Sequence, residues 1–450
     1  MKRNFLFVAL IFSLVLSIGI KKTSAMSDQE LRIRALEEKI EALTPELLNG
    51  KSFNANGVKK QGTKKPYYHK KGFHFESKDG QFSTNLQWRA QLRFHKGIRS
   101  NPRDDGDFSP DAINNFEARR LRMKIGGHGY GVVKYYFEID LQPARSITGE
   151  SHSSAARVID WRIDFPVTKW LGFRVGQWKI NYNRERVDSS GRQTFVERSI
   201  VNREFTIDRQ VGVMAKGRFN KGTAADFRYY AGIFNGEGRS VLNPNDNMMK
   251  MARLQWNPLG VDLKWRQSDV KRHRKPGLSL AGAWAGNKGA CTRWSSSGCG
   301  NIDGFESGSA GDDNRYDLDQ WLFEAAYKSN GFALQHEYHW KNIDDNTTNI
   351  DYDMEGSYTN IGYFFNEIFP SIPPELELAF RYAFLDQPDT TASLVTQNNT
   401  RREYTWAINY FIAGHGNKIT ADFSYLTLDD QSSNKFYKDN RFRLQWDISF

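Results

Sequence analysis

The last ten residues of the chain alternate strictly between polar and apolar side chains. Phe442, Leu444, Trp446, Ile448 and Phe450 occupy one face, and the residues between them are all polar or charged. Because successive side chains of a β-strand point to opposite sides, this pattern predicts a strand with one apolar and one hydrophilic face. An edge strand of a soluble sheet can alternate in the same way, so this one segment leaves two architectures open.

The same alternation recurs along the body of the chain. Each alternating segment is close to the roughly 9–11 residues that cross a membrane as a tilted strand. The pattern predicts about sixteen strands, in the following segments: 82–95, 116–127, 133–141, 159–165, 170–180, 210–219, 224–234, 249–257, 261–266, 277–286, 317–328, 331–341, 354–365, 376–385, 401–412, 417–428 and 441–450.

The links between these strands alternate between short and long. Tight turns of Gly, Asn and Pro occupy every second link, as in Asn220-Lys221-Gly222 and Ser329-Asn330-Gly331. The predicted long links are 96–114, 181–207, 236–248, 287–316, 342–353 and 386–400. Short turns at one end and long loops at the other are typical of outer-membrane barrels. We therefore predict an all-β fold, a transmembrane antiparallel β-barrel of about 16 strands, over residues 73–450.

The end of the chain also resembles the last strand of such barrels, which serves as the signal for the barrel-insertion machinery. We assign that role to the five alternating residues of the apolar face and name the insertion machinery and outer-membrane lipid as partners. The chain would then reside in the outer membrane of a Gram-negative cell.

Composition agrees with a two-faced strand. The chain is 14% aromatic and 26% charged, with a mean hydropathy of -0.66. Beyond Ile20 no run approaches the roughly 18 apolar residues of a membrane-spanning helix. The second strand face carries too many charges for a packed core, because unpaired buried ions cost several kcal/mol each. We therefore expect aromatic residues toward lipid and a water-filled lumen. The tryptophans expected near the lipid interfaces are Trp161, Trp170, Trp256, Trp265, Trp321 and Trp340.

The N-terminal segment predicts export. Residues 1–25 combine a basic start, an apolar run from Phe5 to Ile20 and the small residues Thr23-Ser24-Ala25, which is typical of a cleaved signal peptide. A permanent anchor is the alternative. Residues 26–48 predict a periplasmic amphipathic helix with a short heptad seam, either a coiled coil or a helix packed on its own domain. Residues 49–72 are rich in Gly, Asn and Lys and are expected to form a linker.

The hydrophilic strand face carries more cations than acids. Such a surplus in a narrow tube concentrates anions and repels cations, although cross-strand ion pairs would cancel part of it. Cleavage of the signal peptide would remove four of the cations, so that the formal net charge falls from +11 to +7, and this remainder fits a cationic lumen instead of a nucleic-acid partner. From the first strands we select Arg89, Arg93, Arg120, Arg122 and Lys124 as residues of an anion path. Further cations assigned to this face include Arg162, Arg174, Lys216 and Arg266.

The segment from Tyr182 to Gln210 does not alternate and is rich in arginine. A guanidinium group can hold a phosphate-like anion through two hydrogen bonds. We therefore predict that this segment folds into the lumen and adds to the anion path Arg184, Arg186, Arg192, Arg198, Arg203 and Arg209. A surface loop fixed by Arg–Glu pairs is the alternative.

Several motifs together resemble the phosphate-selective porin O and P family. They are Asn115-Phe116-Glu117-Ala118-Arg119-Arg120-Leu121-Arg122, Val175-Gly176-Gln177-Trp178-Lys179, Asn183-Arg184-Glu185-Arg186, Phe195-Val196-Glu197-Arg198-Ser199 and Asp208-Arg209-Gln210-Val211-Gly212-Val213. The resemblance implies a 16-stranded, trimeric barrel whose pore is lined by arginine and lysine and passes phosphate or related anions. A general or differently selective porin on the same barrel is the alternative function.

Other functions find little support in the sequence. It contains no Gly-x-Ser-x-Gly motif and no convincing Ser/His set, so we expect no enzyme. An adhesion or envelope-tethering protein would use the 26–48 helix and the long loops instead of a pore. Cys291 and Cys299 lie in one long link and are expected to form a disulfide, although two thiols are possible. No metal site and no cofactor are predicted.

Overall fold

Sixteen of the alternating segments pair with their neighbours in sequence and close into an antiparallel barrel. The computed structural model describes residues 66–68, 72–97, 114–142, 156–295, 298–305, 313–388, 398–431 and 433–450. The predicted signal peptide, the 26–48 helix and nearly all of the linker lie outside these residues, and they remain predictions. No helix in the described part of the chain has the length and apolar character needed to cross a membrane.

The barrel strands follow the order of the sequence. They are β1 Ser83–Gly97, β2 Asn114–Gly129, β3 Val133–Asp140, β4 Arg157–Pro166, β5 Gly172–Lys179, β6 Arg209–Phe219, β7 Asp226–Phe234, β8 Met249–Asn257, β9 Gly277–Gly289, β10 Tyr316–Ser329, β11 Phe332–Asp345, β12 Ile350–Tyr363, β13 Leu376–Pro388, β14 Asn398–Tyr410, β15 Asn417–Asp430 and β16 Lys435–Ser449. Two-residue to four-residue strands also occur at Tyr67–Tyr68, Phe73–Glu76, Arg293–Ser295, Gly298–Gly300 and Ile412–His415.

The last strand closes the sheet against the first. β16 pairs with β1 from Arg441 opposite Gly97 to Ser449 opposite Arg89. Beyond that register, the Trp88 N–H donates to the Phe450 carbonyl at 2.7 Å, and the Phe450 N–H donates to the Trp88 carbonyl at 3.0 Å. The terminal phenylalanine is therefore part of the seam that leaves the barrel sheet without a free edge.

The two faces of the barrel differ as predicted. Large apolar side chains are exposed on the outer face, among them Trp321 at 56%, Phe323 at 66% and Trp406 at 49% of their surface. Charged side chains point inward, and many are buried, including Arg253, Glu324 and Arg381. We call the end with the links 98–113, 141–156 and 290–315 the loop end, and the end with the links 130–132 and 330–331 the turn end.

Two predicted features of the links are wrong. Residues 261–266 form no strand and belong to a 19-residue link, 258–276, at the turn end. Their alternation arises because Leu263 is buried and Trp265 turns inward, where the guanidinium of Arg253 lies 5.0 Å from its ring. Trp265 is thus not at a lipid interface. The predicted 342–353 loop is also shorter, because β11 and β12 extend to a four-residue link, 346–349.

Candidate functional site

The link between β5 and β6, residues 180–208, crosses the lumen, and we call it the inner loop. It contains two short helices, α1 Arg184–Val187 and α2 Ile200–Phe205. Arg184 Nε lies 2.7 Å from Glu324 Oε1 on β10, and both side chains are fully buried. Glu185 is 3.3 Å from Arg381 on β13. Because these strands lie far from β5 in the sheet, the loop lies inside the barrel, as the sequence predicted.

The same loop is also fixed to the first strands. Arg89 Nη2 donates to Ser190 Oγ at 2.9 Å. Glu197 accepts from Arg93 at 2.8 Å, from Arg119 at 2.8 Å and from Arg120 at 3.2 Å. Although burial alone would raise the pKa of Glu197, these arginines hold it well below its usual value. These wall arginines therefore serve to hold the loop.

A second segment enters the lumen from the turn end and meets the inner loop. We call residues 264–269 of the 258–276 link the strap. Arg266 Nη1 is 2.6 Å from Asp188 Oδ1. Gln267 Oε1 accepts from the Thr194 N–H at 2.7 Å, and the hydroxyls of Ser268 and Thr194 are 2.9 Å apart. The loop is thus supported from the turn end as well as from the walls.

An apolar cluster fills the lumen beside α2, toward the C-terminal strands. Val201 and Phe205 pack there with Met354 on β12, Leu385 on β13 and Trp294. Trp294 belongs to a short hairpin of the strands Arg293–Ser295 and Gly298–Gly300. A disulfide joins Cys291, before the first strand, to Cys299, within the second, with Cα atoms 5.5 Å apart. The same cluster includes Trp178 on β5, Met214 on β6 and Phe234 on β7, so the lumen around α2 is packed like a protein core across to those strands.

The lumen along β2 to β7 also contains a cavity of about 420 Å³, the first cavity. Its lining has eight cationic side chains: Arg122, Lys124, Arg162, Arg174, Lys179, Arg192, Lys216 and Arg266. Two carboxylates, Glu138 and Asp160, also line it, together with the rings of Tyr136, Tyr230 and Trp265. Cations therefore outnumber carboxylates in this lining.

A second cavity of about 490 Å³ adjoins the first toward the turn end. The two cavities share Arg174, Lys216 and Tyr230 in their linings. The second cavity adds the cations Lys134, Lys169, Arg218 and Arg228, with Asp164 as the carboxylate in its lining. Arg174 Nε is 2.8 Å from Asp164 at the junction, and Lys216 also pairs with this acid.

The cations of the first cavity differ in how far they are neutralised. Arg122 pairs with Glu138 at 2.8 Å. Lys179 Nζ instead donates to the main-chain carbonyls of Arg186 and Asp188, at 3.2 and 3.3 Å. Within the described residues, neither Lys179 nor Arg192 has an acid within 4.0 Å, so their charges are the least compensated in the cavity.

The structure distributes the selected arginines and lysine over several roles. Arg122, Lys124 and Arg192 line the first cavity. Arg89, Arg93 and Arg120 contact the inner loop. Three of the selected arginines form buried ion pairs: Arg184 with Glu324, Arg186 with Asp208, and Arg209 with Asp160. Arg198 donates to the main-chain carbonyls of Glu185 and Asp188 at 2.8 and 2.7 Å, and Arg203 pairs with Glu204 at 2.7 Å.

Five further cations of the cavity were not among the selected residues. Arg162, Arg174, Lys216 and Arg266 had been assigned to the hydrophilic face on their strand pattern, without being selected. Lys179 was missed, although it ends the Gln177-Trp178-Lys179 motif and directly precedes the inner loop. Its position at the strand–loop junction is the signal that would have identified it.

Two cysteines and a glutamate lie close enough together to be considered as metal ligands. The Sγ atoms of Cys291 and Cys299 and a carboxylate oxygen of Glu237 lie within 4.8 Å of one another. Because the two sulfurs are bonded to each other, they are not available as thiolate ligands. Glu237 is buried, and burial together with nearby Asp313 raises its pKa.

A closed sixteen-stranded barrel with an apolar outer face and a charged lumen is the architecture of an outer-membrane porin. The chain belongs to the phosphate-selective porin O and P family, whose model matches residues 90–448. Family and fold together indicate a channel of the outer membrane.

Solved structures with the same fold come from several bacteria. The outer-membrane channel DcaP of Acinetobacter baumannii is 15% identical, with a TM-score of 0.51 over 84% of this chain and 99% of that one. The anion-selective porin from Comamonas acidovorans is 11% identical, with a TM-score of 0.50 over 82% and 100%. OmpF of Salmonella typhi is 13% identical, with a TM-score of 0.51 over 82% and 98%. A comparison with curated proteins found no match.

Proposed function

We propose that this porin is anion-selective and that phosphate or related oxyanions are its solutes. The observation that carries this proposal is the first cavity, with eight cationic side chains and two carboxylates in its lining. A fixed cationic surplus beside low-dielectric walls raises the local concentration of anions and excludes cations. The family description and the anion-selective porin of the same fold support this assignment.

The anion path runs along β2 to β7, from the first cavity to the second. Lys179 and Arg192 provide the least compensated charges and receive the anion in the first cavity. Arg174 and Lys216 line both cavities and transfer the anion from the first cavity to the second. When no anion is bound to them, both cations pair with Asp164. Because arginine binds oxyanions through two parallel hydrogen bonds, this lining favours phosphate-like shapes over chloride.

The remaining parts of the proposal concern assembly and export. We infer a homotrimer from the family resemblance, to be tested by native mass spectrometry of the detergent-solubilised protein. Cleavage after Ala25 and a periplasmic helix over 26–48 are part of the same proposal. Sequencing the N-terminus of the mature protein tests the cleavage.

Ion selectivity in planar bilayers tests the channel assignment. In a KCl gradient, the reversal potential is expected to show anion preference, and phosphate is expected to block the chloride current at low concentration. The double variant Lys179→Gln/Arg192→Gln should lower the anion-to-cation permeability ratio about threefold or more. Lys250→Gln is the matched control, because Lys250 is exposed on the outer face of β8. A wild-type reversal potential without anion preference would identify a general porin and refute the proposal.

A further inference from the structure

The inner loop and the strap meet at one ion pair, whose two members have different surroundings. Asp188 is fully buried, whereas the side chain of Arg266 retains 31% of its exposure and lines the first cavity. Arg266 uses Nη1 to donate to Asp188. A guanidinium group has five N–H donors, so one hydrogen bond to a carboxylate leaves others for a second anion.

Asp188 is surrounded by cations that also belong to the path or hold the loop. Lys179 and Arg198 donate to its main-chain carbonyl at 3.3 and 2.7 Å. The Ser189 N–H donates to Oδ1 at 2.9 Å, and within the described residues Oδ2 has no hydrogen-bond partner. This carboxylate thus lies behind the cationic lining of the first cavity. Among the described residues, Arg266 is the cation that pairs with it.

We propose that Arg266 is shared between Asp188 and the passing anion, so that Asp188 sets how tightly the first cavity holds its solute. Asp188 acts through Arg266 and is a positioning residue, since it does not line the cavity itself. This inference rests on the proposed anion channel and adds a determinant of its affinity.

The physical reason is that conduction needs binding strong enough for entry and weak enough for release. Because Asp188 accepts a hydrogen bond from the Arg266 guanidinium, it weakens the binding of the solute anion to that group. The positive charge that attracts the anion stays in place. Removal of the carboxylate should tighten anion binding and slow release, and removal of the guanidinium should weaken binding.

The test measures the phosphate concentration that half-blocks the chloride current of the full-length channel. Asp188→Asn is expected to lower this concentration about fivefold or more, and Arg266→Gln to raise it. The double variant should match Arg266→Gln alone, and Asp188→Glu should restore the wild-type value. Asp345→Asn is the control, because Asp345 pairs with Arg315 at 3.0 Å and neither residue lines the first or the second cavity.

Arg266→Lys provides a test that leaves Asp188 in place. A compact ammonium group cannot bind two oxyanions in the forked geometry of a guanidinium, so the half-blocking concentration should rise. Two outcomes would refute the sharing while the channel assignment stands. One is an anion-selective channel whose half-blocking concentration is unchanged in Asp188→Asn and in Arg266→Lys. The other is additivity of the effects of Asp188→Asn and Arg266→Gln. A wild-type channel without anion preference would refute both.

Discussion

Replacement of Glu324 by glutamine should release the N-terminal part of the inner loop from the barrel wall. Glu324 lies 2.7 Å from Arg184 Nε and 2.9 Å from Arg253 Nη2, and all three side chains are fully buried. It also accepts from the Arg184 N–H at 3.2 Å. Glutamine keeps an acceptor oxygen but removes the charge that neutralises two guanidinium groups.

The expected magnitude follows from these contacts. Removal of one member of a buried ion pair costs about 3–5 kcal/mol, and the retained amide oxygen favours the lower end, about 3 kcal/mol. Since 1.4 kcal/mol corresponds to a factor of ten, the population with α1 detached should rise about a hundredfold.

Amide hydrogen exchange measures this change directly. The N–H groups of Val187 and Asp188 donate within α1, to Asn183 and Arg184, and exchange when α1 opens. Their exchange rates should rise about a hundredfold in Glu324→Gln, and single-channel recordings should show larger, noisier openings. Asp317→Asn is the control, since its pair with Lys288 is exposed and worth about 0–1 kcal/mol. Unchanged exchange at Val187 and Asp188 would show that Glu324 does not hold the loop.

Three further changes test other parts of the structure. Because burial raises the pKa of Glu237, the folded state favours its protonated form, and stability is lost as the pH rises through that pKa. Glu237→Gln should therefore slow proteolysis of the 235–248 link at pH 7.5 and leave its rate unchanged at pH 4. Removal of the disulfide by Cys291→Ser/Cys299→Ser should destabilise the 293–300 hairpin by about 2–3 kcal/mol, so that limited proteolysis there becomes faster. Equal cleavage of the variant and the wild-type protein would contradict this prediction. Deletion of Phe450 removes both hydrogen bonds to Trp88 and should reduce the heat-modifiable folded band in outer-membrane fractions, whereas a wild-type amount of that band would exclude a role in closing the barrel.

The strands were predictable because alternation is set by a local rule. A barrel that separates lipid from water requires opposite polarity at successive residues, and this requirement repeats in every strand. The 261–266 segment shows the limit of the rule. Its Val261, Leu263 and Trp265 alternate as in a strand, but they do so against the interior of the lumen, and periodicity does not distinguish an apolar environment of lipid from one of protein.

The lining of the first cavity was predictable only in part, because its cations differ from other lumen cations in their partners and not in their type. Arg184 and Arg192 both belong to the inner loop, yet Arg184 pairs with Glu324, 140 positions away, whereas Arg192 lines the cavity. Such long-range pairing has no signature in the local sequence. The family resemblance drew attention to the inner loop, but only the tertiary contacts show which of its arginines line the first cavity.

The ion pairs of the inner loop explain how so many cations fit within one lumen. A barrel lined evenly by arginine would repel itself and bind anions everywhere along its wall. Here the carboxylates of the inner loop, such as Glu185 and Glu197, neutralise arginines on β1, β2 and β13, and this pairing positions the loop. Many of the cations left along β2 to β7 then line the first and second cavities. Pairing with the loop therefore holds it inside the lumen, and under the proposed function a variant that frees a loop-holding arginine should widen the pore and reduce its anion selectivity together.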